Sequence, residues 1–239
     1  MNKSILPLLL LTILGHLSSP AQTGNSGGGF QSLPVANGEC IPIAERQAVE
    51  AVLEANIAYL EKLGLIAPAD QQQIVSFDWP VRQKPGVNDP GFYGIANFVD
   101  EDYTANILDY ECSNRSYDGH QGTDISSWPF SWIKMANDEV EAIAAAAGTI
   151  IAKFDGNFDQ QCVWTNDPAN AIILQHADGS RSWYWHLKKF SLTNKVVGET
   201  VSKGEFLGVV GSSGRSSGPH LHFEVRGAGI VVGDSEALL

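Results

Sequence analysis

The feature that most constrains the fold is a run close to the C-terminal end, Gly211-Ser-Ser-Gly-Arg-Ser-Ser-Gly-Pro-His-Leu-His-Phe-Glu-Val-Arg226. A loop of small residues leads into a strand, and strand side chains alternate between faces. His220 and His222 therefore project from one side, Leu221 and Phe223 from the other. Two imidazoles about 7 Å apart along one strand face suit a metal site. A solvated strand can also carry such a pair, so the weight falls on whether the chain supplies further ligands.

Candidates lie upstream in Tyr117-Asp-Gly-His-Gln-Gly-Thr-Asp124. The spacing of His120 and Asp124 would put both on one face of a helix, whereas Gly119, Gly122 and the β-branched Thr123 and Ile125 favour a turn running into a strand. Either geometry lets the two side chains converge. Imidazole nitrogen and carboxylate oxygen suit zinc, and with one histidine of the later pair they make three protein ligands. The fourth position is then open to water, which is the catalytic arrangement. A third stretch, Ala171 to Leu187, reads as a hairpin around Asp178-Gly179. Alternation on its second arm puts Tyr184 and His186 on one face and Trp183 and Trp185 on the other, so His186 can join the site from a neighbouring strand. The two tryptophans read as core, and His176, beside the turn, as a solvated strand-end residue.

The three motifs, His120-x-x-x-Asp124, Tyr184-x-His186-Leu187 and Gly218-Pro-His-Leu-His-Phe-Glu224, resemble in kind and order those of the lysostaphin/LytM-type zinc metallopeptidases. The resemblance covers residues 110 to 226. It implies a mainly β fold, an antiparallel sheet or sandwich, with one Zn2+ per chain bound by His120, Asp124 and His222. It also implies that His186 and His220 are catalytic histidines that do not bind the metal. The substrate class it implies is peptidoglycan peptide, cut in stem cross-links or glycine-rich bridges. Tyr184, on the face of His186, and Arg215, in the small-residue loop, are the expected substrate-binding residues. Glu224 shares the face of His220 and His222, which leaves it as a partner of the ligands or as half of a surface pair with Arg226. The insert Ser126–Asp138 is longer than the link usual after the first motif and is expected to line or cover the groove.

The rest of the chain fits an exported protein. Residues 1–21 run from Lys3 through a short apolar stretch to Ser19-Pro-Ala21, the pattern of a secretory signal peptide rather than a membrane span. Residues 22–38 form a Gly/Ser-rich linker. Residues 39–109 hold an N-terminal segment: Val49, Val52, Leu53, Ile57 and Leu60 recur near helical period between Pro42 and Gly64, predicting a helix over 43–63. An extended, Pro-rich and aromatic stretch follows over 74–111. The peptidase domain would then occupy 110–239. Three cysteines in an exported chain predict one disulfide, with Cys112–Cys162 favoured and Cys40–Cys112 the competitor. A net charge of −12 disfavours a nucleic-acid role and offers no basic patch to a membrane; the expectation is a monomer that is not an integral membrane protein.

A zinc ion held by two histidines and a carboxylate would activate water and polarise a carbonyl. The chain has no His-Glu-x-x-His sequence, so proton transfer falls to a histidine: His220 as base, with His186 assisting it or stabilising the oxyanion. Two other functions are the alternatives, the first of them associated with loss of zinc ligands, whereas all five positions here carry the expected residues. One is a non-catalytic binding or activator protein on the same fold, the other a secreted peptidase of glycine-rich proteins. An upstream segment could also hold the site latent by placing a side chain at the open zinc position.

Overall fold

A computed structural model describes residues 40–70 and 73–228, so the expected signal peptide and linker lie outside the described residues. The period-2 pattern of the chain is realised as two antiparallel sheets. The first has three strands in the order β1 (Val81–Gln83), β4 (Val140–Ile143), β9 (Phe206–Val209). The second has seven: β2 (Tyr93–Asn97), β3 (Thr123–Ser127), β10 (His220–Arg226), β7 (Arg181–Trp185), β6 (Ala171–Gln175), β5 (Gly148–Phe154) and β8 (Thr200–Val201). The mainly β, antiparallel expectation holds. Strands β1 and β2 come from before residue 110 and are knitted into the same sheets.

Alternation along the central strands sorts their side chains into two cores. Ile125, Ile172, Leu174, Tyr184, Leu221 and Phe223 point to one side of the large sheet and pack with Val140, Ala142 and Leu207 of the small sheet's layer. Ile151, Ile173, Trp183 and Trp185 point to the other side, against helix α1 (Ile43–Lys62). A sheet covered on both faces reads as continuous apolar sequence, and all five residues of β6 are buried.

Helix α1 buries Val49, Leu53 and Leu60 of its expected stripe, with Ile57 half-buried and Val52 exposed. Its end is set by Gly64 at φ +68°, where the Gly64 amide donates to the Glu61 carbonyl and the Leu65 amide to the Leu60 carbonyl. This paired closure needs a left-handed residue, the conformation glycine adopts without cost. Two further positions on the stripe, Arg46 and Glu50, are charged and buried. Arg46 reaches the functional site described below, and Glu50 pairs with Arg181 on β7. In the insert, β3 gives way to the short helix α2 (Ser131–Ala136), pinned by Lys134 to Asp89 and Glu139. Trp128, Phe130 and Trp132 of the insert are exposed.

The cysteines depart from expectation. All three are free thiols: Cys112 and Cys162 are exposed and Cys40 is buried, so the Cys112–Cys162 bridge is not formed. His176 departs too. It is buried rather than solvated, with Nδ1 donating to the Ala147 carbonyl at 2.8 Å and Nε2 accepting from the Ser182 hydroxyl at 2.8 Å.

Candidate metal centre

The turn reading of Tyr117–Asp124 is the one the chain adopts. Gly119, at φ +76°, turns the backbone so that His120 follows on the turn, and Asp124 sits on β3. The turn is held by Asp100, whose carboxylate accepts from the Gly119 amide at 3.0 Å and whose own amide donates to the His120 carbonyl at 2.8 Å. Antiparallel pairing of β3 with β10 sets His222 directly across from Asp124.

These placements bring three lone-pair atoms together. His120 Nε2 lies 3.1 Å from Asp124 Oδ1 and 3.1 Å from His222 Nδ1, and the latter two atoms are 2.9 Å apart. Each residue's second polar atom is already engaged. His120 Nδ1 is 2.6 Å from the Phe98 carbonyl, which can only accept, so Nδ1 carries the proton. His222 Nε2 donates to Glu224 Oε1 at 2.8 Å, and Asn97 Nδ2 donates to Asp124 Oδ2 at 2.9 Å. Outer contacts of this kind fix the tautomer and orientation of metal ligands. With their protons committed outward, the inner atoms face one another as acceptors, and a cation between them resolves the repulsion. Zinc bonds of about 2.0–2.1 Å make tetrahedral edges of about 3.3 Å, close to the separations found.

The electrostatics agree. Burial acts most strongly on His120 and would lower its pKa, but the charge and hydrogen bond of Asp124 raise it to about 9. A place that stabilises an imidazolium stabilises a metal cation for the same reason. Burial likewise opposes ionisation of Glu224, yet Arg46 and His222 hold its carboxyl well below the usual range. Arg46 is bidentate on Glu224 at 2.9 and 2.8 Å, and Arg226 adds a contact at 3.1 Å. Glu224 is thus a fully buried partner of His222 as well as the pair of Arg226, and the helix-borne Arg46 completes the set.

The structure also brings His186 and His220 to the site. Their ring centroids are 4.6 Å apart, and His186 lies 6.0 Å from His222. His220 Nδ1 donates to the Gly218 carbonyl at 2.8 Å and His186 Nδ1 to the Ser213 carbonyl at 2.6 Å. Both leave a buried Nε2 with no hydrogen-bond partner, and that of His220 stands 3.6 Å from Asp124 Oδ1.

Two placements correct the alternation argument. Tyr184 is paired with Phe223 in register and shares its face, so it lies fully buried in the core between the sheets. Its hydroxyl accepts from the Ala145 amide at 2.8 Å, which removes it from substrate contact. His186 reaches the opposite side because its φ is +65°, a left-handed residue that breaks the period-2 pattern where β7 ends. Arg215 is half-buried, its guanidinium 4.8 Å over the Trp164 ring. Trp164 in turn lies 5.9 Å edge-on to Tyr117, which stacks on His120 at 4.1 Å.

One member of the site escapes the sequence reading. Cys40, just ahead of α1, places Sγ 3.0 Å from His222 Nδ1. The ligand atoms of Cys40, His120, Asp124 and His222, all buried, lie within 4.8 Å of one another. Burial would raise the Cys40 thiol, but His222 and the neighbouring histidines hold it well below its ordinary value.

Comparison with known proteins bears on the same stretch. Residues 119–233 match the sequence profile of Peptidase family M23. The DD-carboxypeptidase/endopeptidase Mpg of Neisseria meningitidis is 47% identical over 57 residues, 24% of this chain and 12% of that protein. The glycyl-glycine endopeptidase ALE-1 of Staphylococcus capitis is 48% identical over 63 residues, 26% of this chain and 17% of that protein. The chain thus spans less than a fifth of the length of these relatives. The solved catalytic domain of lysostaphin from Staphylococcus simulans is 25% identical, covering 61% of this chain and 86% of that one at a TM-score of 0.35, too low to bear on the fold. The motifs, the profile and the relatives agree in making residues 119–233 similar in sequence to Peptidase family M23.

Proposed function

We propose that this chain is an exported zinc metalloendopeptidase that hydrolyses peptide bonds of peptidoglycan. The observation that carries the reading is the meeting of His120 Nε2, Asp124 Oδ1 and His222 Nδ1 beside the two free Nε2 atoms of His186 and His220. Zinc held there would supply a polarised carbonyl and an acidified water. His220 is the base: its Nδ1 proton is committed to Gly218, and burial, the largest influence, lowers its pKa to about 4. At neutral pH its Nε2 is therefore an available acceptor 3.6 Å from a ligand oxygen. His186, oriented through Ser213, is placed to carry the proton to the leaving amine or to hold the oxyanion.

The substrate class draws its support from the sequence resemblance and from the relatives, named for DD-carboxypeptidase/endopeptidase and glycyl-glycine endopeptidase activity. Glycine and D-residues put little bulk beside the scissile bond, in keeping with the small residues of the Gly211–Gly218 loop that borders both catalytic histidines. Arg215 is the candidate contact for a substrate carboxylate. Export draws its support from the leader pattern of residues 1–21.

The test is zinc content and release of soluble peptide fragments from sacculi, with a glycine-rich protein as the competing substrate. It is best run in a Cys40→Ser background, because the thiol fills space that water would need. His120→Ala should lose zinc and release together, and His220→Ala should keep zinc and lose release. A protein that binds no zinc, or that cleaves only the glycine-rich protein, overturns the reading.

A further inference from the structure

The Cys40 thiol is the buried group at this centre that the proposed reaction does not use. It comes in on a short arm, Cys40-Ile41-Pro42, whose first two residues are buried before the chain turns into α1. The helix is anchored independently of the thiol, by Arg46 on Glu224, by Arg181 on Glu50 at 3.1 Å, and by Val49 and Leu53 in the Trp183/Trp185 core. The fold itself therefore delivers residue 40 to the ligand cluster.

We propose that Cys40 is a fourth protein ligand of the metal, so that the chain folds in a latent form whose N-terminal arm closes its own active site; this rests on the metallopeptidase reading of the same centre. Three protein ligands leave a position for water, whereas four close it. A hydrogen bond does not account for the contact. His222 Nδ1 has one lone pair once Nε2 holds the proton, yet it is approached by Cys40 Sγ at 3.0 Å, Asp124 Oδ1 at 2.9 Å and His120 Nε2 at 3.1 Å. One central cation serves all four atoms. A thiolate and a carboxylate also balance a dication in a site whose four members are all buried, where uncompensated charge is costly. Thiolate is among the ligands zinc selects. The position opens when the arm withdraws, taking Ile41 with it.

Cobalt substitution tests this without relying on activity. In Cys112→Ser/Cys162→Ser protein kept reduced by a phosphine, the Co2+ form should show visible bands of a tetrahedral site and a sulfur-to-cobalt charge-transfer band in the near ultraviolet. Adding Cys40→Ser should abolish the charge-transfer band and keep the visible ones. In the zinc form it should raise peptide release about tenfold or more, the factor expected if the arm is off the site less than about a tenth of the time. Far-ultraviolet circular dichroism confirms that α1 survives the change, and Cys40→Ala serves if Cys40→Ser does not fold. Visible bands with no charge-transfer band overturn the ligand assignment alone. Absence of any cobalt bands overturns the metal centre on which it rests.

Discussion

At Gly122 there is no room for a side chain: a β-carbon would lie 2.6 Å from His222 Cε1, 2.7 Å from Nε2 and 2.8 Å from the Phe223 carbonyl. The carbonyl belongs to a ladder strand and cannot yield, so Gly122→Ala must push the imidazole off Glu224 and out of line with Asp124. Overpacking of this kind costs about 1–3 kcal/mol, and misaligned ligand supports cost about 10–100-fold in metal affinity. The variant should fold but bind zinc at least about tenfold more weakly by competition with a chromophoric chelator; unchanged affinity would show that the ring can relocate. A second residue-scale prediction concerns His176. Burial lowers its pKa, so the unfolded chain binds the proton more readily than the folded one. Its contribution to stability is complete above the unfolded value of about 6.5 and drains away as pH falls toward the lower folded value. Between pH 7 and 5.5, wild type should lose more stability than His176→Gln, with a slope difference of at most about 1.4 kcal/mol per pH unit. Parallel urea titrations at each pH measure it, and a flat difference refutes it.

At the scale of elements, the sequence makes legible what period and spacing encode. The β10 pair, the turn-strand pair of His120 and Asp124, the β6–β7 hairpin and helix α1 all stand where alternation, glycine and helical period put them. What fails is local backbone handedness and distance along the chain. The φ of +65° at His186 has no residue-type signal, and it moves that ring to the face opposite the one parity assigns. Cys40 and Arg46 reach the centre from far upstream, and no local pattern links them to His222 and Glu224. A weak signal was available: Arg46 and Glu50 occupy apolar-stripe positions of α1, where a charge is stable only against a buried partner. That partnership is testable. Arg46 and Glu224 are both nearly inaccessible, so Arg46→Ala leaves a buried carboxylate with Arg226 and His222 alone. The expected loss is about 3 kcal/mol, the lower end for a broken buried pair because Arg226 remains. Lys203→Ala, which breaks the exposed pair with Asp78, should cost under about 1 kcal/mol. Equal costs in urea unfolding would mean that α1 is not held through Glu224.

For the whole molecule, the metal centre gathers residues 40, 120, 124 and 222, so an ion there ties the arm before α1, the turn, β3 and β10 into one unit. The unfolded chain holds no such site, and binding free energy becomes folding free energy. At a free zinc concentration about a thousand times Kd, the gain is about 4 kcal/mol. For a domain of this size each kcal/mol moves Tm by about 2–4 °C, so the shift between chelated and zinc-loaded protein should be about 8–16 °C. Without the ion, the inner atoms of His120, Asp124 and His222 repel or must take up protons, as the raised pKa of His120 indicates. Scanning calorimetry of wild type and His120→Ala, each with zinc and with chelator, separates this from incidental binding. The shift should collapse in the variant, because removing His120 opens a gap in the ligand shell where its Nε2 met Asp124 Oδ1 and His222 Nδ1. A shift of the same size in His120→Ala would place the stabilising metal elsewhere on this acidic chain, whose net charge of −12 offers carboxylates outside the centre.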